Sequence, residues 1–328
     1  MLASHSMKAI RVRELGDASV LRLETTEDPT PGPGEVLVRI EAAGINFIDV
    51  YYRTGLYKQP PPYTPGSEAA GTVVAIGSGV ENLRVGDRVA STSISGAYAE
   101  LARAPANGLV RLPDGVSSKQ GAAAMLQGMT AHYLACTTYP LSRGDTCVVH
   151  AAAGGVGLLL CQIAKLRGAT VIATVSTDEK AELAKGAGAD HVIFYTKEPF
   201  EAEVKRLTDG VGANVIYDGV GKSTFEKDFE CIARRGMIVL FGQSSGPVAP
   251  FEPSVLANKG SLFLTRPVLG HYIAKREELE ARSSDVFGWI RDGKLSLRIG
   301  HEFPLAEAAE AHRALESRKT TGKVLLLP

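Results

Sequence analysis

The residues with the clearest chemical potential lie at positions 146–157, which read Thr-Cys-Val-Val-His-Ala-Ala-Ala-Gly-Gly-Val-Gly. Apolar and β-branched residues run into small residues and glycines, a pattern typical of a buried parallel strand that ends in a tight turn. Residues 158–167 then have helical composition. Such a strand, turn and helix would aim backbone N–H groups at a phosphate, and the spacing Ala152-x-Gly154-x-x-Gly157 is a dinucleotide fingerprint with alanine at its first glycine position.

The tip of the next predicted strand indicates which dinucleotide is bound. That strand, residues 170–175, is followed by Ser176, and the first acidic residue, Asp178, already lies in the predicted helix. NAD enzymes usually carry an acidic residue at this tip for the ribose 2′-hydroxyl, and it would repel a 2′-phosphate. Ser176 can donate a hydrogen bond and Lys180 can supply positive charge, which favours NADPH. The alternative is that Ser176 only caps the helix and Lys180 is a solvated surface charge.

The composition is that of an ordinary soluble globular protein. The 328 residues are 45% apolar and 22% charged, and Lys plus Arg balance Asp plus Glu, which argues against a broad nucleic-acid surface or a polybasic membrane contact. No apolar run approaches the ~20 residues of a membrane span. No Cys-x-x-Cys pair occurs among the four cysteines, so we expect reduced thiols in a cytoplasmic protein. Residues 1–7 lack the apolar core of a signal peptide and are expected to precede a fold that starts near Met7.

Hydrophobic patterning divides the chain into two parts. Short alternating stretches separated by turn residues predict a β-rich part, a partly open barrel or a sandwich, with strands at residues 7–13, 20–24, 35–42, 71–77 and 86–90. A helix at residues 120–134 is followed by alternating strands and helices, which predict a doubly wound parallel sheet of the Rossmann type.

The predicted strands of this sheet are residues 146–151, 170–175, 190–194, 213–218, 236–241 and 258–265, and the predicted helices are residues 155–167, 178–186, 199–208 and 223–233. Amphipathic helices at residues 277–290 and 305–318 and a strand at residues 323–327 do not extend the alternation. We therefore expect an α/β protein with a Rossmann domain at residues 125–265 and a second domain formed by residues 1–124 and 266–328.

Several motifs in order resemble the medium-chain dehydrogenase/reductase superfamily, and within it the zinc-free, NADPH-dependent quinone oxidoreductases, the group of the ζ-crystallins. The resemblance extends from Met7 to Pro328. It implies a GroES-like substrate domain and a homodimer, in which residues 258–265 could be a pairing edge strand. The matching segments are residues 44–55, 66–71, 85–89, 150–157, 241–246, 264–267, 316–318 and 322–323.

The absence of zinc ligands limits the reactions that the chain could catalyse. Zinc alcohol dehydrogenases of this superfamily bind their catalytic zinc with two cysteines and one histidine, and the resemblance places Asn46, Ser67 and Gln127 at or near those positions, with only Glu68 retained. Neutral amide and hydroxyl groups do not make a zinc site of useful affinity, so we expect no metal. Without a Lewis acid, suitable substrates accept hydride readily: quinones or, alternatively, activated alkenes such as 2-alkenals, enones or enoyl thioesters.

The resemblance also implies roles for individual residues. Asn46 would orient a quinone oxygen, Tyr51 would donate a proton or a hydrogen bond, and Gln127 would tune the substrate. The predicted catalytic residues are Asn46, Asp49 and Tyr51, and the predicted substrate-binding residues are Asn46, Tyr51 and Gln127. An alternative for Asp49 is a local ion pair with Arg53, and Tyr52 would then pack on Tyr51.

The implied cofactor is NADPH, with three groups of contacts. Gly154, Gly155, Val156 and Gly157 would hold the pyrophosphate; Ser176, Lys180, Tyr195 and Arg318 would surround the 2′-phosphate; and Thr130, Phe241, Gly242, Ser244 and Arg266 would lie on the nicotinamide side. Taken alone, a tyrosine at a strand end, such as Tyr195, more often packs than binds a ligand. His150 is expected to be a buried histidine with satisfied hydrogen bonds. A different class of function, RNA binding or a structural crystallin-like role, has no electrostatic support from the zero net charge.

Overall fold

A computed structural model of the chain describes residues 6–328. The expected extension at residues 1–5 lies outside the described residues. By its internal contacts the chain divides into two units: the first comprises the chain up to Leu126 with Lys275–Gly293 and Leu297–Pro328, and the second comprises Gln127–Ala274 with Lys294–Ser296. The domain bounds predicted from the sequence stay a prediction, because a division by contacts does not define domains that fold independently.

The elements follow one another in a β-rich part, an alternating part and a mixed tail. The strands are β1 (Ser6–Val12), β2 (Leu21–Glu27), β3 (Glu35–Ile45), β4 (Glu68–Ile76), β5 (Arg88–Ser91), β6 (Leu101–Pro105), β7 (Val110–Arg111), β8 (Thr146–Val149), β9 (Thr170–Val175), β10 (His191–Phe194), β11 (Ala213–Asp218), β12 (Ile232–Leu240), β13 (Phe263–Thr265), β14 (Ile299–Pro304) and β15 (Lys323–Leu327). The helices are α1 (Phe47–Arg53), α2 (Ser118–Tyr133), α3 (Gly155–Leu166), α4 (Asp178–Gly186), α5 (Phe200–Leu207), α6 (Phe225–Cys231), α7 (Ser254–Asn258), α8 (Leu269–Tyr272), α9 (Arg276–Arg291) and α10 (Ala308–Glu316).

Six parallel strands form the sheet of the second unit, in the order β10-β9-β8-β11-β12-β13. Chain order therefore reverses between β8 and β11, which is the Rossmann arrangement. Helix α3 packs with α4 and α5 packs with α6, and right-handed crossovers place these two pairs on opposite faces. The apolar residues of β8 have no exposed surface because both faces of the sheet are covered. The predicted doubly wound parallel sheet is confirmed.

A seven-stranded sheet organises the first unit, in the order β14-β15-β3-β4-β5-β7, with β6 also paired to β3. Only β14 and β15 are parallel within it. Strand β3 pairs with three neighbours, and register shifts after Leu37 and after Ile40 bend it. Strands β1 and β2 form a separate antiparallel pair. The short strands predicted for this part of the chain are confirmed.

The structure differs from the predicted elements in a few places. The strand predicted at residues 258–265 is reduced to β13, because α7 occupies Ser254–Asn258 and the chain turns at Gly260 and Ser261, which have φ of 121° and 56°. The helix predicted at residues 305–318 is limited to α10, after one 3-10 turn. Helix α1 and strand β14 lack a clear periodic pattern and are not predicted. Within residues 6–328, no helix combines the length and the apolar character needed to cross a membrane.

Candidate active site

The turn predicted to bind phosphate, residues 150–157, begins where the strand order of the six-stranded sheet reverses. Strand β8 leads into it, and α3 begins at Gly155 with Gly154 as its N-cap residue. The first hydrogen bond of the helix runs from Leu158 N to Gly154 O, at 2.9 Å. The N–H groups of residues 155–157 precede that bond, so they have no carbonyl partner within the helix. N–H groups at such a helix N-terminus bind phosphate.

Small residues leave the backbone of this turn accessible. A methyl group on Gly157 would lie 2.5 Å from Ala151 O, so glycine is needed for α3 to pack directly on the turn. A methyl group on Gly155 would overlap Gln127 Oε1, which places the Gln127 amide against the turn. Ala151 takes the positive φ, 50°, so its neighbour Ala152 needs no glycine. The alanine of the fingerprint is therefore compatible with a dinucleotide pyrophosphate.

Ser176, Lys180 and Tyr195 meet at the carboxyl ends of β9 and β10. Lys180 Nζ lies 3.4 Å from Ser176 Oγ. Tyr195 N donates to Val175 O at 3.2 Å, and 44% of Tyr195 is exposed. The alternative in which Ser176 caps α4 is wrong, because Thr177 is the N-cap residue and accepts from Lys180 N. A hydroxyl and an ammonium are thus grouped at the tip of β9, two donors that suit a phosphate, and Tyr195 follows the neighbouring strand.

The predicted nicotinamide-side residues of the second unit follow β12 or β13, with one exception. Phe241, Gly242 and Ser244 form the loop after β12. Ser244 N donates to Gly219 O at 3.2 Å. Arg266 donates to the carbonyl oxygens of Leu240, at 3.1 Å, and Gly242, at 3.4 Å, so its guanidinium supports the loop. The exception, Thr130, is buried in α2.

Arg318 and His150 lie in different units of the chain. Arg318 belongs to the first unit and follows α10 with φ of 58°, so its role at a 2′-phosphate stays a prediction. His150 is buried, with Nδ1 2.9 Å from Thr174 Oγ1 and Nε2 2.9 Å from Asp228 Oδ1. Burial lowers the pKa of His150, but the charge and hydrogen bond of Asp228 outweigh it and raise that pKa. The prediction of a buried histidine with satisfied hydrogen bonds is confirmed.

A cluster of polar side chains is buried in the first unit at the end of β3. Asn46 Nδ2 donates to Glu68 Oε2 at 2.7 Å, and Lys323 Nζ donates to Asn46 Oδ1 at 2.9 Å. Lys323 also forms an ion pair with Glu68. The exposed fractions of Asn46, Glu68 and Lys323 are 6%, 0% and 2%. Gly44 makes room for the cluster, since a methyl group there would overlap Glu68 Oε2 and lie 2.7 Å from Lys323 Cε.

Asp49 is buried in the first turn of α1, next to this cluster. Its Oδ2 accepts from Asn46 N at 2.8 Å and from the Tyr98 hydroxyl at 3.0 Å. The alternative of an ion pair between Asp49 and Arg53 is wrong, because Arg53 forms its ion pair with Glu316 at 2.7 Å. Burial raises the pKa of Asp49 to about 6, against its two hydrogen bonds, which lower it. Asp49 therefore orients the start of α1.

A hydrogen-bonded chain of side chains leads from Arg53 to Asp49. Arg53 Nη1 lies 3.1 Å from His312 Nδ1, and the Tyr98 hydroxyl lies 3.1 Å from His312 Nε2. A guanidinium only donates, so Nδ1 accepts and the proton of the neutral ring lies on Nε2, which donates to Tyr98. Burial, reinforced by the Arg53 charge, lowers the pKa of His312 to about 3, which keeps the ring neutral. Every donor in this chain points toward Asp49.

Tyr51, the predicted proton donor, lies on α1 among other aromatic rings. Its ring centroid is 5.3 Å from that of Tyr57 and 6.3 Å from that of Phe47. Tyr57 also packs edge-on against Tyr52, at 5.7 Å. Tyr57, which the sequence prediction did not include, thus joins the two tyrosines of α1.

Asn46, Ser67 and Gln127 stand at or near the positions that hold zinc in the zinc alcohol dehydrogenases, and their side chains do not fit a zinc ion. Asn46 is held by hydrogen bonds to Glu68 and Lys323, and Ser67 and Gln127 offer only neutral oxygen and nitrogen donors. In the described part of the chain, no group of three or more His, Cys, Asp or Glu side chains could hold a metal ion. No chemical step is therefore derived through zinc.

Three residues of the buried polar groups have no role in the sequence prediction: Tyr98, His312 and Lys323. Lys323 is part of a matching motif, and a lysine that opens the apolar strand Lys-Val-Leu-Leu-Leu is a signal for a buried ion pair. Tyr98 and His312 carry no comparable signal, because their partners are distant in sequence.

Comparison with known proteins agrees with this geometry. The family model for an alcohol dehydrogenase GroES-like domain matches residues 32–114, and the model for a zinc-binding dehydrogenase matches residues 155–282. A quinone oxidoreductase of Pseudomonas aeruginosa is 48% identical over 323 residues, which cover 98% of this chain and 99% of that protein. A 2-haloacrylate reductase of a Burkholderia species is 41% identical over 307 residues, 91% of this chain and 92% of that protein. The crystal structure of Escherichia coli quinone oxidoreductase complexed with NADPH superposes with a TM-score of 0.95 and 41% identity, covering 98% of this chain and 100% of that chain.

Proposed function

The chain belongs to the zinc-free quinone oxidoreductases of the medium-chain dehydrogenase/reductase superfamily, and we propose that it reduces quinones with NADPH and without a metal ion. The observation that carries the proposal is the strand tip after β9. There the Ser176 hydroxyl and the Lys180 ammonium lie 3.4 Å apart, one strand away from the phosphate-binding turn. Such a pair attracts a 2′-phosphate and offers no carboxylate to a ribose 2′-hydroxyl.

The second unit supplies the proposed cofactor contacts. When bound, NADPH supplies a hydride from the nicotinamide C4. The chain's own residues bind and orient it. The N–H groups of residues 155–157 donate to the pyrophosphate, the Gln127 amide lies beside them, and Arg266 supports the loop of the nicotinamide side. The proposed contacts are Thr130, Gly154, Gly155, Val156, Gly157, Ser176, Lys180, Tyr195, Phe241, Gly242, Ser244, Arg266 and Arg318.

The first unit supplies the proposed quinone contacts. Asn46 Nδ2 orients a quinone oxygen, and Tyr51 offers a hydroxyl at the same helix. Asp49 acts through Asn46, because its carboxylate holds the Asn46 N–H at 2.8 Å. No general base is needed, since the anion of a reduced quinone is stabilised by delocalisation and takes its second proton from water. Gln127 is proposed as a contact of both ligands, with its observed position favouring the cofactor side.

An activated-alkene reductase is the second candidate, because the 2-haloacrylate reductase is a near relative over almost its whole length. The deciding experiment measures NADPH oxidation with 1,4-naphthoquinone, a 2-alkenone and 2-chloroacrylate at equal concentrations. We expect the largest kcat/KM with the quinone. Equal or reversed values would favour the alkene reductase, and no oxidation with any of the three would reject both.

We also propose a cytoplasmic homodimer. Strand β13 is the edge of the six-stranded sheet, and Phe263 on it is 57% exposed. An unpaired edge with an exposed aromatic ring favours pairing with a second copy. Light scattering should give twice the mass of the chain, and Phe263→Lys should shift it toward the monomer. The four free cysteines suit a reducing compartment.

A further inference from the structure

His150, Asp218 and Asp228 form a cluster of buried titratable side chains inside the second unit. His150 Nε2 lies 2.9 Å from Asp228 Oδ1, and His150 Nδ1 lies 2.9 Å from Thr174 Oγ1. The carboxyl groups of Asp218 and Asp228 are close enough for a side-chain hydrogen bond. Neither aspartate has any exposed surface, so ionising both of these neighbouring groups would carry a large energetic cost.

The Oδ2 atom of Asp228 indicates where this cluster holds a proton. That atom is buried and meets no hydrogen-bond donor among residues 6–328. Asp218, by contrast, accepts on both of its oxygens. Val220 N and Gly221 N donate to Oδ1 at 2.6 and 3.0 Å, and the Thr224 hydroxyl donates to Oδ2 at 2.9 Å. A proton on Asp228 Oδ2 would make that atom a donor, with the Asp218 carboxylate as its acceptor.

The electrostatics of the cluster agree with a retained proton. Burial, supported by the Asp218 carboxylate, raises the pKa of Asp228 to about 7 against the charge and hydrogen bond of His150. Burial lowers the pKa of His150, but the charge and hydrogen bond of Asp228 raise it overall. When both members of a coupled pair have a raised pKa, the pair as a whole holds its proton more tightly.

Helix α6, which carries Asp228, packs against α5, β11 and β12. The charges that act most strongly on Asp228 are those of His150 and Asp218. The other titratable or charged side chains of these elements near Asp228 are Cys231, whose thiol donates to Asp228 O at 3.7 Å, Glu201, which pairs with Lys227 at 3.6 Å, and the exposed Glu226, Glu230, Arg234 and Arg235.

The two partners of Asp228 lie where the proposed cofactor contacts begin. His150 is the first residue of the phosphate-binding turn. Asp218 ends β11, and its side chain holds the backbone of the loop that follows. Its carbonyl oxygen also accepts from Phe241 N at 2.8 Å and from Gly242 N at 3.3 Å. The phosphate-binding turn and the loops after β11 and β12 are therefore joined through Asp228.

We propose that Asp228 is a positioning residue of the proposed NADPH site and acts there as a neutral acid. Its Oδ1 accepts from His150 and its protonated Oδ2 donates to Asp218, so that one side chain holds the turn and the two loops in a single arrangement. Loss of this proton, as the pH rises through about 7, leaves two neighbouring carboxylates that repel each other. The loops then lose this constraint, and the affinity for NADPH falls. The inference rests on the proposed function.

Two substitutions distinguish a neutral hydrogen-bonding group from a side chain that only fills space. Asp228→Asn has the shape of the protonated acid: its oxygen can accept from His150, and its NH2 group can donate to Asp218 at every pH. Asp228→Leu keeps a similar volume and removes both hydrogen bonds. Glu226→Gln is the matched control, because Glu226 lies on the same helix and is exposed.

Fluorescence titration at pH 6 and at pH 8.5 gives the Kd for NADPH of each variant. The ratio of the wild-type Kd to the Asp228→Asn Kd should be about one at pH 6 and should rise at least about threefold by pH 8.5. This ratio cancels the ionisation of the cofactor's own 2′-phosphate. Glu226→Gln should follow the wild type. Asp228→Leu should bind NADPH about tenfold more weakly than the wild type at pH 6.

A ratio that stays constant between the two pH values would overturn the inference, and so would an Asp228→Asn variant that binds NADPH at pH 6 as weakly as Asp228→Leu. If Asp228→Leu does not fold, the pH dependence of the ratio decides alone, since a purely structural role would not make it change. A wild type that binds NADPH with this pH dependence but reduces no quinone would reject the proposed function and leave the role of Asp228 in cofactor binding intact.

Discussion

The Nζ atom of Lys180 lies 3.4 Å from the Oγ atom of Ser176, across the first turn of α4. The contact leaves the backbone of that turn undisturbed, because Thr177 supplies the cap and accepts from Lys180 N at 3.3 Å. Neither the serine hydroxyl nor the ammonium therefore caps the helix. A hydroxyl and an ammonium in this arrangement suit a phosphate.

Removing the ammonium should weaken NADPH binding selectively. Lys180→Ala should raise the Kd for NADPH about tenfold to a hundredfold, the cost of a hydrogen bond to a charged group, and should change the Kd for NADH less than twofold. Fluorescence titration measures both constants. Lys185→Ala is the control on the same helix, since Lys185 pairs with Glu182 at its exposed surface. An equal loss for both cofactors would contradict the interpretation of the strand tip.

The close packing of α3 on its turn predicts a large effect of one methyl group. In Gly157→Ala, the new methyl would lie 2.5 Å from Ala151 O, so the helix would have to shift. We expect a loss of about 1–3 kcal/mol in the free energy of unfolding and weaker NADPH binding. Gly186→Ala is the matched control, because nothing lies within 4 Å of the added methyl. It should be neutral or stabilising; similar losses in both variants, measured by denaturant unfolding, would refute the packing argument.

His312 should make the protein sensitive to acid. Its pKa is lowered from 6.5 to about 3, first by burial and then by Arg53. A depressed pKa contributes stability above pH 6.5 that is lost as the pH falls toward 3, because the unfolded chain binds the proton more readily. About 2 kcal/mol of this contribution should be gone by pH 5. The stability difference between wild type and His312→Gln, measured from pH 7.5 to 5, should shrink accordingly; a constant difference would exclude a neutral buried ring.

Asp49 should have the opposite effect on the pH dependence of stability: it should stabilise the protein more at acidic than at neutral pH. Its pKa is raised from 3.8 to about 6, mainly by burial, so its contribution to stability is complete below pH 3.8 and is lost as the pH rises through 6. Asp49→Asn removes this titration. Its stability relative to the wild type should rise by about 2 kcal/mol between pH 4 and pH 7. Urea unfolding at several pH values tests this, and a flat difference would show that Asp49 does not titrate in that range.

Local patterns were enough to predict the Rossmann part and to propose which of its residues contact the cofactor. Helix α4, strand β11 and strand β15 have the predicted bounds. Hydrophobic periodicity and glycine turns act over a few residues, and Ser176 and Lys180 are four residues apart, one turn of a helix. The turn proposed to bind the pyrophosphate and the strand tip are likewise each contained in a single strand–turn–helix segment, so the sequence alone was enough to propose them.

Only the tertiary structure revealed the polar groups of the first unit. Lys323 and Glu68 are 255 residues apart, and they meet because β15 and β4 flank β3 in a register that pairs Ile45 with Val324 and Gly44 with Glu68. Tyr98 also contacts a residue distant in sequence, Asp49, which lies 49 residues earlier in the chain. A one-residue shift of register would turn these side chains to the other face of the sheet. The sequence by itself determines which polar residues this part of the chain contains. Their hydrogen-bond partners are decided by the tertiary structure, because strand register depends on the packing of the whole sheet.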